Sequence, residues 1–270
     1  MPKSKTRRPA LSAKTADKQV LYQLSVQDAK VEIDFVDSTY RKFRGRLPRR
    51  LREDFCGSAL LCTEWVRRGP ERTAVGVDLD PRVLAWGSEH NLEALGPDKQ
   101  RVRLLRQDVR GPSSGRFDAV MAFNFSYWVF TTRDEMRGYF RKVQRALSRD
   151  GMFLIDVYGG WEAQEPMTDR RTIKRRFIYE WEQELFDPIT HRVVNHIHFE
   201  FDNGSRLERA FSYDWRFWTL PELRELLEEA GFSRVVVFWD RSPSDKYEDY
   251  RPTTRATNHP GWLAYIVGLR

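Results

Sequence analysis

The sequence predicts an α/β fold: a mostly parallel sheet of seven strands with helices on both faces, interrupted after the fifth strand by an antiparallel meander. Three observations predict it. From Leu51 to about Tyr158, short apolar runs alternate with amphipathic segments of helical period, the pattern of parallel strands joined by crossover helices. Over 172–215 the period drops to two, with "DPIT" and the hairpin pair Asn203-Gly204 between the segments. Beyond 215 a helix and two strands resume the first pattern.

"RRLREDF" reads as the first strand, and "SALLCTEWVRRG" as a helix that places Leu60, Leu61, Trp65 and Val66 on one side and ends at Gly69. "TAVGVDLD" is the second strand. Asp80 then offers a capping side chain and Pro81 a first helical residue with no N–H to satisfy, so a helix is expected through "RVLAWGSEHNLEALG" to its glycine. "RVRLLRQDV" and "FDAVMAFNF" are the third and fourth strands. Thr132 and Glu135 have capping-box spacing for the helix before the fifth strand, "GMFLIDVY", and Thr219 and Glu222 repeat it for "LPELRELLEEAG". "SRVVVFW" and "GWLAYIVGLR" complete the sheet.

A chain of 270 residues, 40% hydrophobic and 13% aromatic, can bury a large core, and its length suits one elaborated domain. No run approaches the roughly 18 apolar residues of a membrane span, and "MPKSKTRRPALSAKT" lacks the apolar stretch of a secretory signal, so a cytoplasmic protein without membrane contact is expected. Cys56 and Cys62 have no metal-ligand or redox spacing, which argues against a disulfide framework or a structural metal. The net charge of +7 is local: residues 1–52 hold 14 Lys/Arg against 5 Asp/Glu, the remainder 32 against 34. Residues 1–16 are therefore read as a basic, flexible tail ahead of a domain spanning 17–270.

The strand ends carry the chemistry. In an open parallel sheet, ligands bind beyond the carboxyl ends of the strands, where the strand order reverses. Here those ends read Glu53-Asp54 with Gly57, then Asp78, then Asp108, then Asn124. A nucleoside needs this combination: close backbone approach, a carboxylate for ribose hydroxyls and a polar group for a base.

With these residues in place, the chain from Leu51 onward resembles the class I S-adenosylmethionine-dependent methyltransferases. The resemblance implies a Rossmann-like sheet whose last strand is antiparallel, S-adenosylmethionine as cofactor and S-adenosylhomocysteine as product. It also implies cofactor contacts from Glu53, from the loop Phe55, Cys56 and Gly57, from Asp78 with Leu79, and from Asp108 with Val109. Where the family has three glycines only Gly57 remains, with Phe55 and Ala59 at the others, which narrows the backbone conformations open to the loop. Adjacent strand residues face opposite ways, so only one of the two acids can face the cofactor; the resemblance assigns Glu53, whose offset from Gly57 matches the family motif, and leaves Asp54 either to a nearby arginine such as Arg52 or to holding the amino-terminal segment. A thiol mechanism for Cys56 lacks a His/Asn partner pattern.

"NFSYW", Asn124 to Trp128, is similar to the Asn-Pro-Pro-Tyr motif of amino-group methyltransferases, with Phe125 and Ser126 in place of the prolines. The resemblance implies that Asn124, also bordering the cofactor, and Tyr127 orient the acceptor, with Trp128, Tyr158 and Trp161 as further contacts near Asp156; the alternative is a loop that only contacts the methionine portion of the cofactor and packs its aromatics. Segment 17–48 has helical apolar spacing at Leu21, Leu24, Phe35, Val36, Tyr40 and Phe43, and is expected to cap the cofactor, with Tyr22 as a contact. In the 172–215 insertion, read as a cover over the acceptor, His196, His198 and Glu200 share one strand face, opposite Val193, Ile197 and Phe199. His196 and Glu200 are expected to meet the acceptor; the histidines read as a solvated sheet face, with no metal assigned. The acceptor is expected to be a small or medium-sized molecule. The rival readings are RNA or a protein as substrate, held by the basic amino terminus, and a non-catalytic cofactor binder.

Overall fold

A computed structural model of the chain describes residues 11–113, 115–241 and 249–270. Two helices open it. Asp17 caps α1 (Lys18–Val26) through the N–H groups of Gln19 and Val20, and Asp28 caps α2 (Ala29–Arg44) through Val31. Helix α2 buries Ile33, Val36 and Tyr40 and stops at Gly45, whose φ of 69° is left-handed and costs glycine nothing sterically. There follow β1 (Arg50–Asp54), α3 (Leu60–Arg67), β2 (Thr73–Asp78), α4 (Pro81–Gly87), β3 (Val102–Arg106), β4 (Phe117–Ala122), α5 (Arg133–Ala146) and β5 (Leu147–Gly159). Both capping boxes form, Thr132 with Glu135 before α5 and Thr219 with Glu222 before α6 (Leu220–Glu229).

Strands β10 (Arg234–Asp240), β11 (Tyr250–Thr253) and β12 (Trp262–Leu269) follow α6, and the main sheet runs β3-β2-β1-β4-β5-β12-β10-β11. Strands β1 to β5 pair in parallel, and β12 lies antiparallel between β5 and β10. The expected seven strands gain an eighth, the short edge strand β11 (Tyr250–Thr253), antiparallel to β10. The order reverses between β1 and β4, and apolar side chains pack on both faces of the sheet.

The insertion is a separate four-stranded meander of β6 (Met167–Ile173), β7 (Phe177–Phe186), β8 (Arg192–Phe201) and β9 (Arg206–Arg216), so it starts ahead of the expected residue 172. Its inner face packs on α1 through Leu21, Phe177, Tyr179, Ile197 and Phe199. Residues 1–10 of the expected tail lie outside the described residues. Residues 11–16 are not a free tail: Leu11, Ala13 and Ala16 cover the meander's apolar cluster, and the Ala13 N–H donates to Ser205 Oγ at 3.0 Å. The helix expected from Pro81 to Gly96 also differs. After α4 it passes into a π turn over Ser88–Leu92 and a 3₁₀ segment over Glu93–Arg101, and Gly87 lies so close to the loop after β1 that a Cβ there would meet Ser58 O at 2.3 Å. No described helix is long and apolar enough to cross a membrane.

Candidate active site

At the sheet's switch point the chain leaves β1 through a bend in which Phe55, Gly57 and Ala59 all have left-handed φ, at 57°, 50° and 56°. Two of these carry side chains, which costs about 1–2 kcal/mol per residue, so surrounding contacts must hold the bend. They do. Asp78 Oδ2, at the end of β2, accepts from Gly57 N–H at 2.8 Å while Oδ1 accepts from Asp80 N–H at 2.9 Å. Asn91 Nδ2 donates to Ser58 O at 2.8 Å, and Gln23 Nε2 of α1 donates to Ser58 Oγ at 2.7 Å. Glu53 Oε2 accepts from Cys62 N–H at 3.0 Å, at the start of α3.

Around this bend lies a cleft of about 300 Å³. Of the residues expected to hold a nucleoside cofactor, the structure gathers Tyr22, Glu53, Phe55, Cys56, Gly57, Asp78 and Asn124 on its walls. Leu79 is exposed beside Asp78, outside the lining. Asp108 and Val109 are outside it too: the Arg110 guanidinium engages both Asp108 oxygens, and Val109 O accepts from Arg52 Nη2 at 2.7 Å. Asp54 takes the arginine alternative. Arg52 Nε donates to its Oδ1 at 2.6 Å, and the Tyr139 hydroxyl donates to Oδ2 at 2.9 Å.

Charge in the cleft follows burial. Desolvation pushes Glu53 up to about 7, against the stabilising bond from Cys62. It also drives both thiols well above their ordinary range, which leaves Cys56 and Cys62 as packing groups. Gln27 Oε1, buried on the cleft wall, has no protein partner, as expected of a group that meets a ligand. The backbone bend, the Asp78 carboxylate and this orphaned amide oxygen fit a nucleoside carrying an amino acid.

A larger cavity, about 730 Å³, adjoins the cleft, and Tyr22, Asn124 and Tyr213 border both. Its walls are aromatic: Phe125, Tyr158 and Tyr265 from the main sheet side, and Tyr179, Trp181 and Trp215 from the meander. Three acids border it, the exposed Asp28 at the cap of α2 and two buried ones, Glu32 from α2 and Asp156 from β5. Asp156 Oδ2 accepts from Asn124 N–H at 2.7 Å and Oδ1 from Phe125 N–H at 3.0 Å, holding two consecutive left-handed residues (φ 57° and 56°). Burial raises Asp156 to about 7 despite those bonds, and burial, with the carboxylates of Asp156 and Glu53, raises Glu32 to about 8.

Several expected acceptor contacts lie elsewhere. Tyr127 and Trp128 sit in a 3₁₀ turn that points them beneath the cavity floor: both are fully buried, Tyr127 donates to Asp156 O at 2.7 Å, and Trp128 stacks behind Tyr158. Trp161 is exposed at 53% and borders no part of the cavity. His196 and Glu200 are on the outer face of the meander, because the even-numbered side chains of β8 point away from the cavity that Ile197 lines. His196 bonds Glu184 and Ser212, and Glu200 pairs with Arg170. Glu182, Glu184 and His196 there bring potential ligand atoms within 4.8 Å of one another, but Arg209 already neutralises Glu184. Tyr158 does line the cavity. Missed were Ser25, Glu32, Arg171, Gln183 and Tyr213, of which Glu32 alone had a signal: an acid beside Ile33 and one turn before Val36 on a buried helix face.

The chain thus combines an open α/β fold with a cleft at the switch point of its sheet and an adjoining aromatic chamber. Residues 55–151 match the family described as methyltransferase domain. The protein YqeM of Bacillus subtilis (strain 168), named as a methyltransferase, is 26% identical over 201 residues, covering 72% of this chain and 78% of that protein. Among solved structures, CalS10 from Micromonospora echinaspora, an amino pentose methyltransferase with S-adenosylmethionine bound, superposes with a TM-score of 0.67 at 16% identity, over 93% of this chain and 95% of its own. KedS8, a sugar N-methyltransferase from Streptoalloteichus, reaches 0.64 at 17% identity, over 100% and 98%. These structural likenesses share the fold. The family match over residues 55–151 and the relative in Bacillus subtilis are those of a methyltransferase domain.

Proposed function

We propose that the protein methylates nitrogen on a small or medium-sized amine, bound in the chamber between α1, α2, the meander and the end of β4. The observation that carries this reading is the chamber's composition: two buried carboxyls inside aromatic walls, opening onto the cofactor cleft at Asn124. Such a cavity favours a cation with an apolar body. That similar folds belong to an amino pentose methyltransferase and a sugar N-methyltransferase supports the same reading.

S-adenosylmethionine, when bound, supplies an electrophilic methyl group. The chain's part is positional, since in-line displacement depends on alignment more than on acid–base strength. Asp156 fixes the Asn124 backbone at the junction of the two cavities, so the Asn124 side chain and carbonyl are held where an acceptor nitrogen would pass. The aromatic walls exclude water from that path. In this reading 172–215 and 17–48 act together as the cover.

The test is a methylation assay with methyl-labelled cofactor, on primary and secondary amines, their hydroxyl counterparts, and the small-molecule, protein and RNA fractions of a cell extract. Label is expected in small amines, at nitrogen. Label confined to protein or RNA, or to oxygen or carbon, would overturn the reading.

A further inference from the structure

Three buried side-chain oxygens without a protein partner flank the junction of α1 and α2: Ser25 Oγ in the last turn of α1, Gln27 Oε1 between the helices and Glu32 Oε2 in the first turn of α2. Few buried polar atoms go unsatisfied in a folded protein, so three around one junction, each on a cavity wall, mark ligand contacts. Gln27 borders the cofactor cleft, whereas Ser25 and Glu32 border the acceptor chamber. Glu32 is the costly one. Its side chain belongs to a residue only 8% exposed, and no cation pairs with it among the described residues. In its ionised form a carboxyl in such a place is costly unless a cation compensates it, and the protein offers Glu32 one backbone bond, from Asp28, and no positive charge.

We propose that Glu32 is the anchor for the acceptor's ammonium group, with Ser25 beside it and Asp156 as the second carboxyl, so that the enzyme selects basic amines over amides and alcohols. This inference rests on the amine reading above and deepens it. The groups facing Glu32 are consistent with one bound positive charge: Asp28 at the cap of α2, Glu53 from β1 and Asp156 from β5 are all acidic. Arg171 of β6 is the chamber's lone cation among its lining residues, and it lies over the Tyr179 ring beside Asp169. Tyr22, Tyr158, Tyr179, Tyr213 and Tyr265 complete the titratable lining, and burial pushes the first four further above their ordinary range. An ammonium must lose a proton before its lone pair can react. That proton passes from nitrogen to a carboxylate oxygen of Glu32 or Asp156, which burial makes ready proton holders near neutral pH.

The test is Glu32→Gln in the full chain, with S-adenosylhomocysteine present. Titration calorimetry would compare benzylamine and D-glucosamine with benzyl alcohol and D-glucose. Wild type is expected to bind at least one amine tenfold or more tighter than its hydroxyl counterpart. In Glu32→Gln that preference should vanish, S-adenosylhomocysteine affinity should stay within twofold, and the melting temperature should hold or rise, because an unpaired buried acid is removed. A preference that survives the substitution, or is absent from the wild type, overturns the anchor. So does a variant that loses amines together with the nucleoside and melts earlier, the mark of a structural role. If wild type and variant N-methylate an amine with equal KM, the anchor fails while the amine reading stands; transfer to oxygen or carbon alone defeats the reading itself.

Discussion

Replacing Asp78 tests how the cleft is built, and its effect can be worked out from two bonds. The carboxylate accepts from Gly57 N–H at 2.8 Å and Asp80 N–H at 2.9 Å, one per oxygen, so each oxygen can accept a further bond, and Asp78 lines the cleft. A hydrogen bond to a charged group contributes about 1.5–3 kcal/mol, with the low end fitting a side chain still reached by solvent. Asp78→Asn can satisfy only one of the two N–H groups and offers one acceptor to a ribose. Asp78→Ala satisfies neither, and it frees a bend already strained at Phe55 and Ala59. We therefore expect S-adenosylhomocysteine affinity to fall by about 1.5 kcal/mol in Asp78→Asn and about 3 kcal/mol in Asp78→Ala, roughly tenfold and more than a hundredfold. Calorimetry gives the affinity, and urea denaturation gives the stability of the same variants. An alanine variant that binds the nucleoside within twofold of wild type would refute the reasoning, and an asparagine variant weaker than alanine would refute the bond-by-bond account.

Tyr139→Phe removes the buried bond to Asp54 and leaves the ring, so stability should drop by about 1.5–3 kcal/mol in denaturant while nucleoside affinity holds. Glu32, Glu53 and Asp156 have folded pKa values raised to about 8, 7 and 7, above the ordinary carboxyl range. The stability they contribute is complete below about pH 4 and is lost as pH rises through 7–8, so the denaturation midpoint should fall between pH 5 and 8.5, and a flat or rising profile would contradict their burial. His196→Ala should lower stability by about 1–3 kcal/mol, through its bonds to Ser212 and Glu184, without changing acceptor KM; Trp181→Ala on the cavity face should raise that KM. Cys56 and Cys62 should resist a thiol reagent in the folded chain and react fully in denaturant, as their burial and raised pKa values require.

What was legible in the sequence is what local chemistry determines. The two capping boxes, the Asp80-Pro81 start and the apolar strands all state their own geometry, and from them the parallel sheet and the acids at its edge follow. Orientation was less accessible. Alternation in β8 groups His196 with Glu200 and Ile197 with Phe199, but only the packing of the meander on α1 decides which group faces inward. The aromatics after β4 were misplaced for a related reason: Asn124 and Phe125 take left-handed φ under the hold of Asp156, 31 residues further on at its contact with Phe125, and that turn sends Tyr127 and Trp128 downward. Strand β11 holds Pro252 and pairs on one side, so it carries little strand signal. Phe55 and Ala59 looked like departures from a glycine loop, yet they adopt the glycine conformation because Asp78, Asn91 and Gln23 hold the bend from outside it. Glu32 makes the same point from the other direction. An acid within an apolar helix face contradicts its local pattern, and Glu32 keeps one oxygen without a protein partner and no cation beside it; a folded chain retains such conflicts mainly where a ligand completes the structure.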